Sequence, residues 1–254
     1  MSQERGEWLE RVRESMIETW RLVAQCTESG SAIEREGLIA AVVPLTPERS
    51  VSNSVIYTDA EVLIDSLDEI ASAYDEAGIR AWTVWVPEDD DETARALERA
   101  GHVLDAEPRA MGMELERAER PEMGELDWSR GCDLEIVGRI NDLAYGYGED
   151  GLGPIISAMP PDLVETYCVK VDGETAAVMM TIDFGDDTEI AWVATSEAAR
   201  GRGLATALMR QSLWDARERG KSTATLQATK LGAGLYRRVG FEDFGALQMW
   251  ERRR

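Results

Sequence analysis

Apolar and polar positions follow the periods of helices and strands along the first half of the chain. Apolar residues at positions 8, 9, 12, 16, 20 and 23 predict an amphipathic helix near the N-terminus. Continuous apolar runs predict strands, and glycine or proline marks the end of several segments. The predicted order is helix, strand, strand, helix, strand, helix, at residues 7–26, 38–43, 51–57, 60–77, 79–87 and 88–100.

A second series of periodic segments follows a stretch without periodicity. Around residues 117–128 the pattern fades and Pro and Gly appear, which indicates a linker. Hairpin turns are expected at 172–173 and 185–187. The later segments are predicted as helix 134–145, loop 146–161, strands 163–171, 175–184 and 188–195, helix 204–219, strand 222–228, helix 232–239 and a last strand. We therefore predict a first domain over 1–118, a linker over 119–130 and a second domain over 131–254.

The two halves of the chain end alike. Gly78 matches Gly220 and Gly101 matches Gly240, and a strand and a helix lie between the two glycines of each half. One explanation is that two generic βαβ ends resemble each other by chance. The other is a duplicated domain, which accounts directly for the shared order of elements. The pattern therefore favours two copies of one fold.

Composition and charge narrow the classes of function. The chain has 254 residues, of which 44% are hydrophobic, enough for a packed core. No apolar run reaches the roughly 18 residues of a membrane span, so no membrane partner is expected. The charged N-terminus lacks the apolar segment of a signal peptide, which predicts a cytoplasmic location. A net charge of −22 repels phosphate backbones and argues against nucleic acid as a partner.

Cysteine and histidine are too few for several kinds of site. Cys26, Cys132 and Cys168 have no CxxC spacing, and His102 is the only histidine of the sequence. Zinc sites, Cys–His pairs and Ser-His-Asp triads each need residues that are missing or too few. We predict buried free thiols and no metal. Chemistry then rests on tyrosine, carboxylates, backbone amides or a cofactor.

A basic, glycine-rich turn joins a predicted strand to a predicted helix. The sequence "ARGRGLA" places two arginines and two glycines where the helix begins, in a chain that is acidic elsewhere. Helix N-termini present unpaired N–H groups, and glycine lets backbone approach an anion. A diphosphate site fits this turn, and a solvated turn before a helix is the alternative. The motif GxxxxGK[ST] is not satisfied, because no Lys-Ser/Thr follows the second glycine. The motif GxGxxG is not satisfied, because Thr206 stands where the third Gly or Ala belongs.

These residues resemble a known family. Arg200-Gly201-Arg202-Gly203-Leu204-Ala205 is similar to the R/Q-x-x-G-x-G/A loop of the GCN5-related N-acetyltransferases (GNAT), and "LYRRVGF" (Leu235–Phe241) follows at that family's spacing. The resemblance covers about residues 125–254. It implies an α/β (α+β) fold of two GNAT-like domains, each a mixed, mainly antiparallel sheet flanked by helices. The N-terminal half resembles only the closing βαβ of the family and lacks the loop, so it looks like a degenerate copy.

The resemblance implies acetyl transfer from acetyl-CoA to an amine. The main chain of Val193 and Thr195 would pair with pantetheine and help to polarise the thioester. Tyr236 would protonate the leaving thiolate, and Glu189 stands where histone-acetylating members carry a base. Thr229 replaces the family's usual asparagine, and Gly232 a usual alanine. The residues that would hold the CoA diphosphate are Arg200, Gly201, Arg202, Gly203, Leu204, Ala205 and Thr206.

Each of these assignments has a structural alternative. Tyr236 could be a core aromatic, Glu189 an ordinary strand glutamate, and many family members use water chains as the base. The acceptor wall is expected in residues 144–161, where Tyr145, Tyr147, Glu149 and Asp150 suit a cationic amine, although a solvated loop has the same composition. We expect a small-molecule or peptide amine as acceptor and a monomer or homodimer. A non-catalytic CoA-binding module, O-acetylation and a longer acyl donor stay open.

Overall fold

The structure of the protein is a computed structural model that describes residues 3–147 and 151–254. It is a mixed α+β fold in which most strand pairs are antiparallel and helices flank the sheet, which confirms the predicted fold class. The chain divides into two compact units. Unit 1 contains the residues up to Met111 together with 227–233 and 243–254, and unit 2 contains 112–226 and 234–242.

The structure contains a counterpart of each predicted element of the first half, and it adds a strand at residues 31–35 that the sequence analysis did not predict. They are α1 Gln3–Cys26, β1 Ser31–Arg35, β2 Leu38–Val42, β3 Ser54–Tyr57, α2 Ala60–Glu76, β4 Ala81–Pro87, α3 Asp91–Arg99, β5 Val103–Ala106 and β6 Arg109–Glu114. The strand predicted from residue 51 begins only at Ser54. The side chains of Ser52 and Asn53 bond nearby backbone groups, including the amide of Val43 at 2.8 Å, and so replace ladder hydrogen bonds.

The second half differs from the prediction at two places. Its elements are β7 Asp127–Arg130, α4 Leu134–Tyr145, α5 Gly153–Ala158, β8 Val164–Val171, β9 Glu174–Phe184, β10 Asp187–Thr195, α6 Leu204–Glu218, β11 Thr223–Ala228, α7 Ala233–Val239 and β12 Glu242–Arg253. A strand, β7, lies in the stretch interpreted as linker, because residues 127–130 pair with β8. A short helix, α5, lies in the stretch interpreted as loop.

In unit 1 the chain order and the sheet order differ. β1, β2 and β3 are antiparallel neighbours, β4 pairs parallel to β3, and β12 adds to β4 with Leu247 opposite Pro87. The last strand of the sequence therefore completes a sheet that begins near the N-terminus. The core of this unit is apolar and fully buried around Tyr57, Tyr74 and Leu97.

The sole histidine belongs to this core. His102 is buried, its ring meets the edge of Trp82 with centroids 4.5 Å apart, and its Nδ1 lies 3.2 Å from the carbonyl of Leu97. Burial lowers the pKa of His102 to about 4, so the ring is neutral at physiological pH. The packing explains this residue without a role in proton transfer.

Unit 2 contains an antiparallel run from β7 through β8 and β9 to β10, with β11 parallel to β10. The β8–β9 turn has positive φ at both Asp172 and Gly173, which confirms the predicted tight hairpin. Asp183 accepts two hydrogen bonds of 2.9 Å from Arg219, which fixes the end of α6 against the β9–β10 hairpin. The N-terminus of α6 is thereby held in register with the end of β10.

The described residues were compared with the requirements of a membrane span and of a metal site. No helix within residues 3–147 and 151–254 is long and apolar enough to cross a bilayer. In the same residues, no group of three or more His, Cys, Asp or Glu side chains could hold a metal ion. All three cysteines are free thiols, of which Cys168 is buried and the other two are partly exposed.

Candidate functional site

Two parallel strands of unit 2 separate and leave a stretch of strand edge. The ladder between β10 and β11 runs from Asp187 opposite Thr223 to Glu189 opposite Thr225 and ends there. β10 continues to Thr195. Within the described residues, the last six positions of β10 thus have no ladder to β11. A strand edge of this kind exposes N–H and C=O groups that a ligand can pair with.

A bulge on β10 reshapes this edge. Between Ala191 and Ala194 the register with β9 shifts, so that Trp192 and Val193 together face Met179. Trp192 has φ of 47°, a left-handed conformation that is unusual for a bulky residue. Bulges bend a strand and redirect its backbone groups, often next to functional sites.

The backbone of Thr195 is directed towards the open edge. Ser196 donates its amide to the carbonyl of Ala176 on β9 at 2.8 Å. Residues along an antiparallel ladder alternate between pointing at the partner strand and pointing away from it. The N–H and C=O of Thr195 therefore point away from β9, towards the side on which β11 has separated. The predicted pantetheine contact at Thr195 stays a prediction.

The turn after β10 presents a row of unpaired amides. Gly201 and Gly203 have φ of 76° and 77°, and Gly203 is the residue that precedes the first turn of α6. Among the described residues, no hydrogen bond is donated by the amides of residues 201–206. No side chain caps the helix. The positive end of a 15-residue helix and the adjacent amides form a site for an anion.

The two arginines of this turn have different surroundings. Arg202 is exposed and has no partner among the described residues, so its guanidinium is available to a phosphate. Arg200 bonds two carbonyls instead, that of Ala144 at 2.6 Å through Nη2 and that of Thr195 at 3.3 Å through Nε. Arg200 therefore ties the end of α4 to the end of β10.

Tyr145 closes the same strand edge from α4. Its hydroxyl donates to the carbonyl of Val193 at 3.3 Å, and its ring stacks on Tyr147 with centroids 5.7 Å apart. The carbonyls of Val193 and Thr195, both predicted to meet pantetheine, thus accept hydrogen bonds from protein side chains. A ligand that pairs with this edge competes with Tyr145 and Arg200.

Tyr236 lies close to this edge on α7. Its carbonyl accepts the amides of Gly240 and Phe241, both at 3.1 Å, and its ring meets the edge of Phe241 at 6.0 Å. Gly240 has φ of 122°, which lets the chain reverse and places Phe241 against the tyrosine. This geometry explains why tyrosine, glycine and phenylalanine occur together in "LYRRVGF".

The Tyr236 hydroxyl has no hydrogen-bond partner among the described residues. Burial, and secondarily the neighbouring hydroxyl of Tyr145, raises the pKa of Tyr236 above its usual value. The phenol therefore stays protonated at neutral pH and keeps a hydrogen to donate. Two tyrosine hydroxyls, from α4 and α7, lie near one another beside the open edge of β10.

Glu189 occupies the last paired position before the strands separate. Its side chain is buried, with 2% of its surface exposed. Asp187 lies two residues earlier on the same face and accepts hydrogen bonds from Thr223 at 2.6 Å and Thr225 at 2.5 Å. Threonine hydroxyls from β11 therefore balance the Asp187 carboxylate and hold the two strands in register up to Glu189.

Thr229 belongs to the segment of unit 1 that precedes α7. Its Oγ1 accepts the amide of Gly232 at 3.1 Å, and its carbonyl accepts the amide of Ala233 at 3.0 Å. The hydroxyl thus stabilises the start of α7 in the manner of an N-cap. It keeps its own hydrogen for donation to a ligand.

The candidate acceptor wall is built by Asp142, which the sequence analysis did not single out. Its carboxylate accepts the amides of Leu152 at 2.8 Å and Gly153 at 2.9 Å, which joins α4 to the start of α5. A Cβ at Gly151 would lie 2.1 Å from the Asp142 carboxylate. Gly153 also lies close to Gly138 on α4. A Cβ added at Gly138 would lie 2.8 Å from the Cα of Gly153. The predicted wall residues Glu149 and Asp150 lie outside the described residues.

The spacing "Gly-Leu-Gly-Pro" contained a signal for this contact. Glycine before and inside a first helical turn permits close backbone approach, and proline is favoured at such a turn. The carboxylate that caps the turn lies ten residues earlier, on a different helix. Only the tertiary contact shows that Asp142 is the partner.

Part of the second half of the chain matches a model of a known family. Residues 163–243 match the family model described as the acetyltransferase (GNAT) domain. That segment runs from β8 to the first residues of β12 and contains the loop, Glu189 and Tyr236. None of the curated proteins matches the chain significantly.

Solved structures share the fold over nearly the whole chain. A GCN5-related N-acetyltransferase from Kribbella flavida is 17% identical, with 95% of each chain covered and a TM-score of 0.68. One from Sphaerobacter thermophilus is 18% identical, covering 85% of this chain and 80% of that one, with a TM-score of 0.59. A tandem GNAT protein from the clavulanic acid biosynthesis pathway is 11% identical, covering 85% and 78%, with a TM-score of 0.60. At these identities the similarity is one of fold.

Proposed function

We propose that the protein is an acetyl-CoA-dependent N-acetyltransferase whose acyl-donor site lies in unit 2. The observation that carries the proposal is the row of amides at residues 201–206 that have no partner among the described residues, shortly after the last six positions of β10, which have no ladder to β11 in the same part of the chain. The amides and Arg202 bind the diphosphate, and the edge of β10 pairs with the pantetheine arm. A ligand with an anionic head and an amide-bearing arm would use both features.

The reaction that fits these residues is direct attack of a neutral amine on the thioester. The main chain of Val193 helps to polarise the thioester carbonyl as negative charge develops. Tyr236 then donates its proton to the leaving thiolate, for which a protonated, otherwise unpaired hydroxyl is suited. Glu189, at the point where the strands separate, takes the proton of the amine directly or through water.

The acceptor is a primary amine of a small molecule or peptide. Tyr145 and Tyr147 form an aromatic surface at the end of α4, and aromatic faces attract cations. The net charge of −22 further favours a cationic acceptor over an anionic one. No metal is required for this mechanism.

The first half of the chain is proposed to be a degenerate copy that binds no CoA. In unit 1, α2 lies between the parallel strands β3 and β4, as α6 lies between β10 and β11. The carboxylate of Asp59 accepts the amides of Glu61 and Val62 at the start of α2. An internal carboxylate thus fills the helix N-terminus that the second copy leaves open.

Titration and turnover test the proposal separately. Calorimetric titration of the full chain with acetyl-CoA should show one binding event. Release of free CoA thiol should then depend on an added amine in a panel of amines. Binding without turnover for any amine would favour the alternative, a CoA-binding module without catalysis. The absence of binding at millimolar acetyl-CoA would overturn both.

Replacement of Tyr145 by phenylalanine should strengthen acetyl-CoA binding by about 2- to 12-fold. The Tyr145 hydroxyl must leave the Val193 carbonyl before pantetheine can pair with it, and a neutral hydrogen bond contributes about 0.5–1.5 kcal/mol. Dissociation constants from calorimetry measure the effect. Tyr147→Phe, which removes a hydroxyl from the same segment, serves as the control and should leave the constant unchanged. Weaker binding by Tyr145→Phe would show that this hydroxyl supports the ligand instead.

Replacement of Glu189 by glutamine should lower kcat/KM about tenfold or more near neutral pH, as loss of a general base does. The defect should shrink as the pH approaches the pKa of a free amine, about 10, because the acceptor amine is then already largely neutral. Rates are compared with wild type from pH 7 to pH 10. A defect of equal size across this range would mean that Glu189 acts only through structure.

A further inference from the structure

Two cysteines of unit 2 lie side by side on neighbouring chain segments. Ser129 on β7 pairs with Cys168 on β8. After β7 the chain turns at Gly131, whose amide donates to the carbonyl of Thr166 at 2.8 Å. The hydroxyl of Thr166 donates in turn to the carbonyl of Cys132 at 2.7 Å. Thr166 and Cys168 are two residues apart on one strand and so share a face, which places Cys132 beside Cys168.

The two side chains lie close enough for each thiol to change the pKa of the other. The hydroxyl of Ser129 lies 3.2 Å from the Cys168 sulfur. Cys168 is 3% exposed, whereas Cys132 is partly exposed. Lys170 adds a nearby positive charge. This is the environment in which a thiolate is stabilised.

The contact divides one proton between the two sulfurs. The hydrogen bond from Cys132, followed by that from Ser129, lowers the pKa of Cys168 to about 6 against the opposing effect of burial. The same contact raises the pKa of Cys132. The interaction therefore favours the thiolate at Cys168 and the thiol at Cys132. By contrast, burial raises the pKa of Cys26 in unit 1.

We propose that Cys132 and Cys168 are a redox modification site that hydrogen peroxide converts into an intramolecular disulfide. The Cys168 thiolate attacks one peroxide oxygen, which breaks the O–O bond and gives a sulfenic acid and hydroxide. The Cys132 sulfur then attacks the Cys168 sulfur and displaces its oxygen as hydroxide, which its own proton converts to water. In sum, two thiols and one peroxide give one disulfide and two waters. The proposal does not depend on the acyltransferase function.

The disulfide would enclose the segment that contains α4 and α5. This segment begins at Asp133, the N-cap of α4, and includes Tyr145 and Asp142. A closed loop restricts the unfolded chain more than the folded one and therefore stabilises the fold. Oxidation would add a covalent link between β8 and the base of the α4–α5 hairpin, which in the reduced protein is held by packing and hydrogen bonds.

Thiol counting and peptide mapping test the proposal on the full chain. Untreated protein, denatured and titrated, should show three free thiols, and protein treated with a small excess of hydrogen peroxide should show one. Mapping should join the peptides of Cys132 and Cys168 with a loss of two hydrogens, and dithiothreitol should restore both thiols. The melting temperature of the oxidised form should rise by roughly 5 °C or more.

Two variants separate the proposal from general oxidation. In Cys26→Ser the count of free thiols should fall from two to none after peroxide treatment. This result would show that peroxide acts on the Cys132–Cys168 pair without Cys26. Cys132→Ser should form no internal disulfide and should leave a sulfenic acid at Cys168 that a dimedone probe traps. A disulfide between chains, or loss of Cys26 before the pair, would overturn the proposal. An unchanged thiol count after peroxide treatment would overturn it as well.

Discussion

Replacement of Tyr236 by phenylalanine is expected to lower kcat by about 100-fold while the dissociation constant of acetyl-CoA changes less than twofold. The Tyr236 hydroxyl has no hydrogen-bond partner among the described residues and lies near Tyr145, so its removal costs the fold little. Loss of a positioned acid typically costs 10²–10⁴ in rate. Single-turnover release of CoA thiol and calorimetric titration measure the two quantities.

The pH dependence gives a sharper test of the acid role. Without Tyr236 the thiolate must leave unprotonated, and a thiol near pKa 8.5 does so more readily as the pH rises past that value. The Tyr236→Phe defect should therefore be larger at pH 7 than at pH 9.5. Tyr167→Phe, which removes a buried hydroxyl from β8 in the same unit, is the matched control and should retain wild-type kcat. An unchanged kcat for Tyr236→Phe would remove this residue from the acid role.

Replacement of Gly203 by glutamate is expected to weaken acetyl-CoA binding by at least 100-fold. Gly203 has φ of 77°, a conformation that costs other residues about 1–2 kcal/mol, and it stands at the start of α6. The new carboxylate would lie at the helix N-terminus, compete for the amides of residues 201–206 and repel the diphosphate. Calorimetric titration measures the loss.

Two further variants distinguish charge from backbone strain. Gly203→Ala introduces the strain without the charge and should weaken binding less than Gly203→Glu. Gly173→Glu introduces the same charge at a glycine with φ of 85° in the β8–β9 turn, and it should bind acetyl-CoA like the wild type. Wild-type affinity in Gly203→Glu, with an unchanged melting temperature, would show that the diphosphate lies elsewhere.

The N-termini of α2 and α6 differ in the residue that occupies the N-cap. Both α2 and α6 follow a strand and precede a parallel partner, but only α2 carries an acidic N-cap. The Asp59 carboxylate accepts hydrogen bonds from two amides of α2, whereas Gly203 has no side chain that could bond the first amides of α6. The N-cap residue is therefore one feature that distinguishes α2 from the proposed anion site at α6.

The reversal glycines show the same recurrence. Gly78, Gly101, Gly220 and Gly240 each follow a helix and each has positive φ. The sequence alone identified all four by their spacing. The structure shows that each ends the helix before it, which is the physical requirement that glycine meets.

The sequence by itself determined the elements and the loop. Hydrophobic periodicity gave α2 and α4 almost to the residue, and the glycines of "RGRGLA" predicted the left-handed turn that the structure contains, because backbone conformation here depends on local residues. The predicted domain boundaries and site roles remain predictions. Local patterns failed where one segment depends on a distant one, as at β7, which pairs with β8, and α5, which Asp142 caps.

Only the tertiary structure decided what surrounds the candidate site. No local signal shows that β12 pairs with β4, that Tyr145 and Arg200 occupy the carbonyls of Val193 and Thr195, or that Cys132 contacts Cys168. Each of these contacts joins segments far apart in the chain, and its energy depends on distances that sequence spacing does not fix. The sequence specified a turn that can hold a diphosphate. Only the fold shows that two carbonyls on the neighbouring edge of β10 accept hydrogen bonds from the side chains of Tyr145 and Arg200.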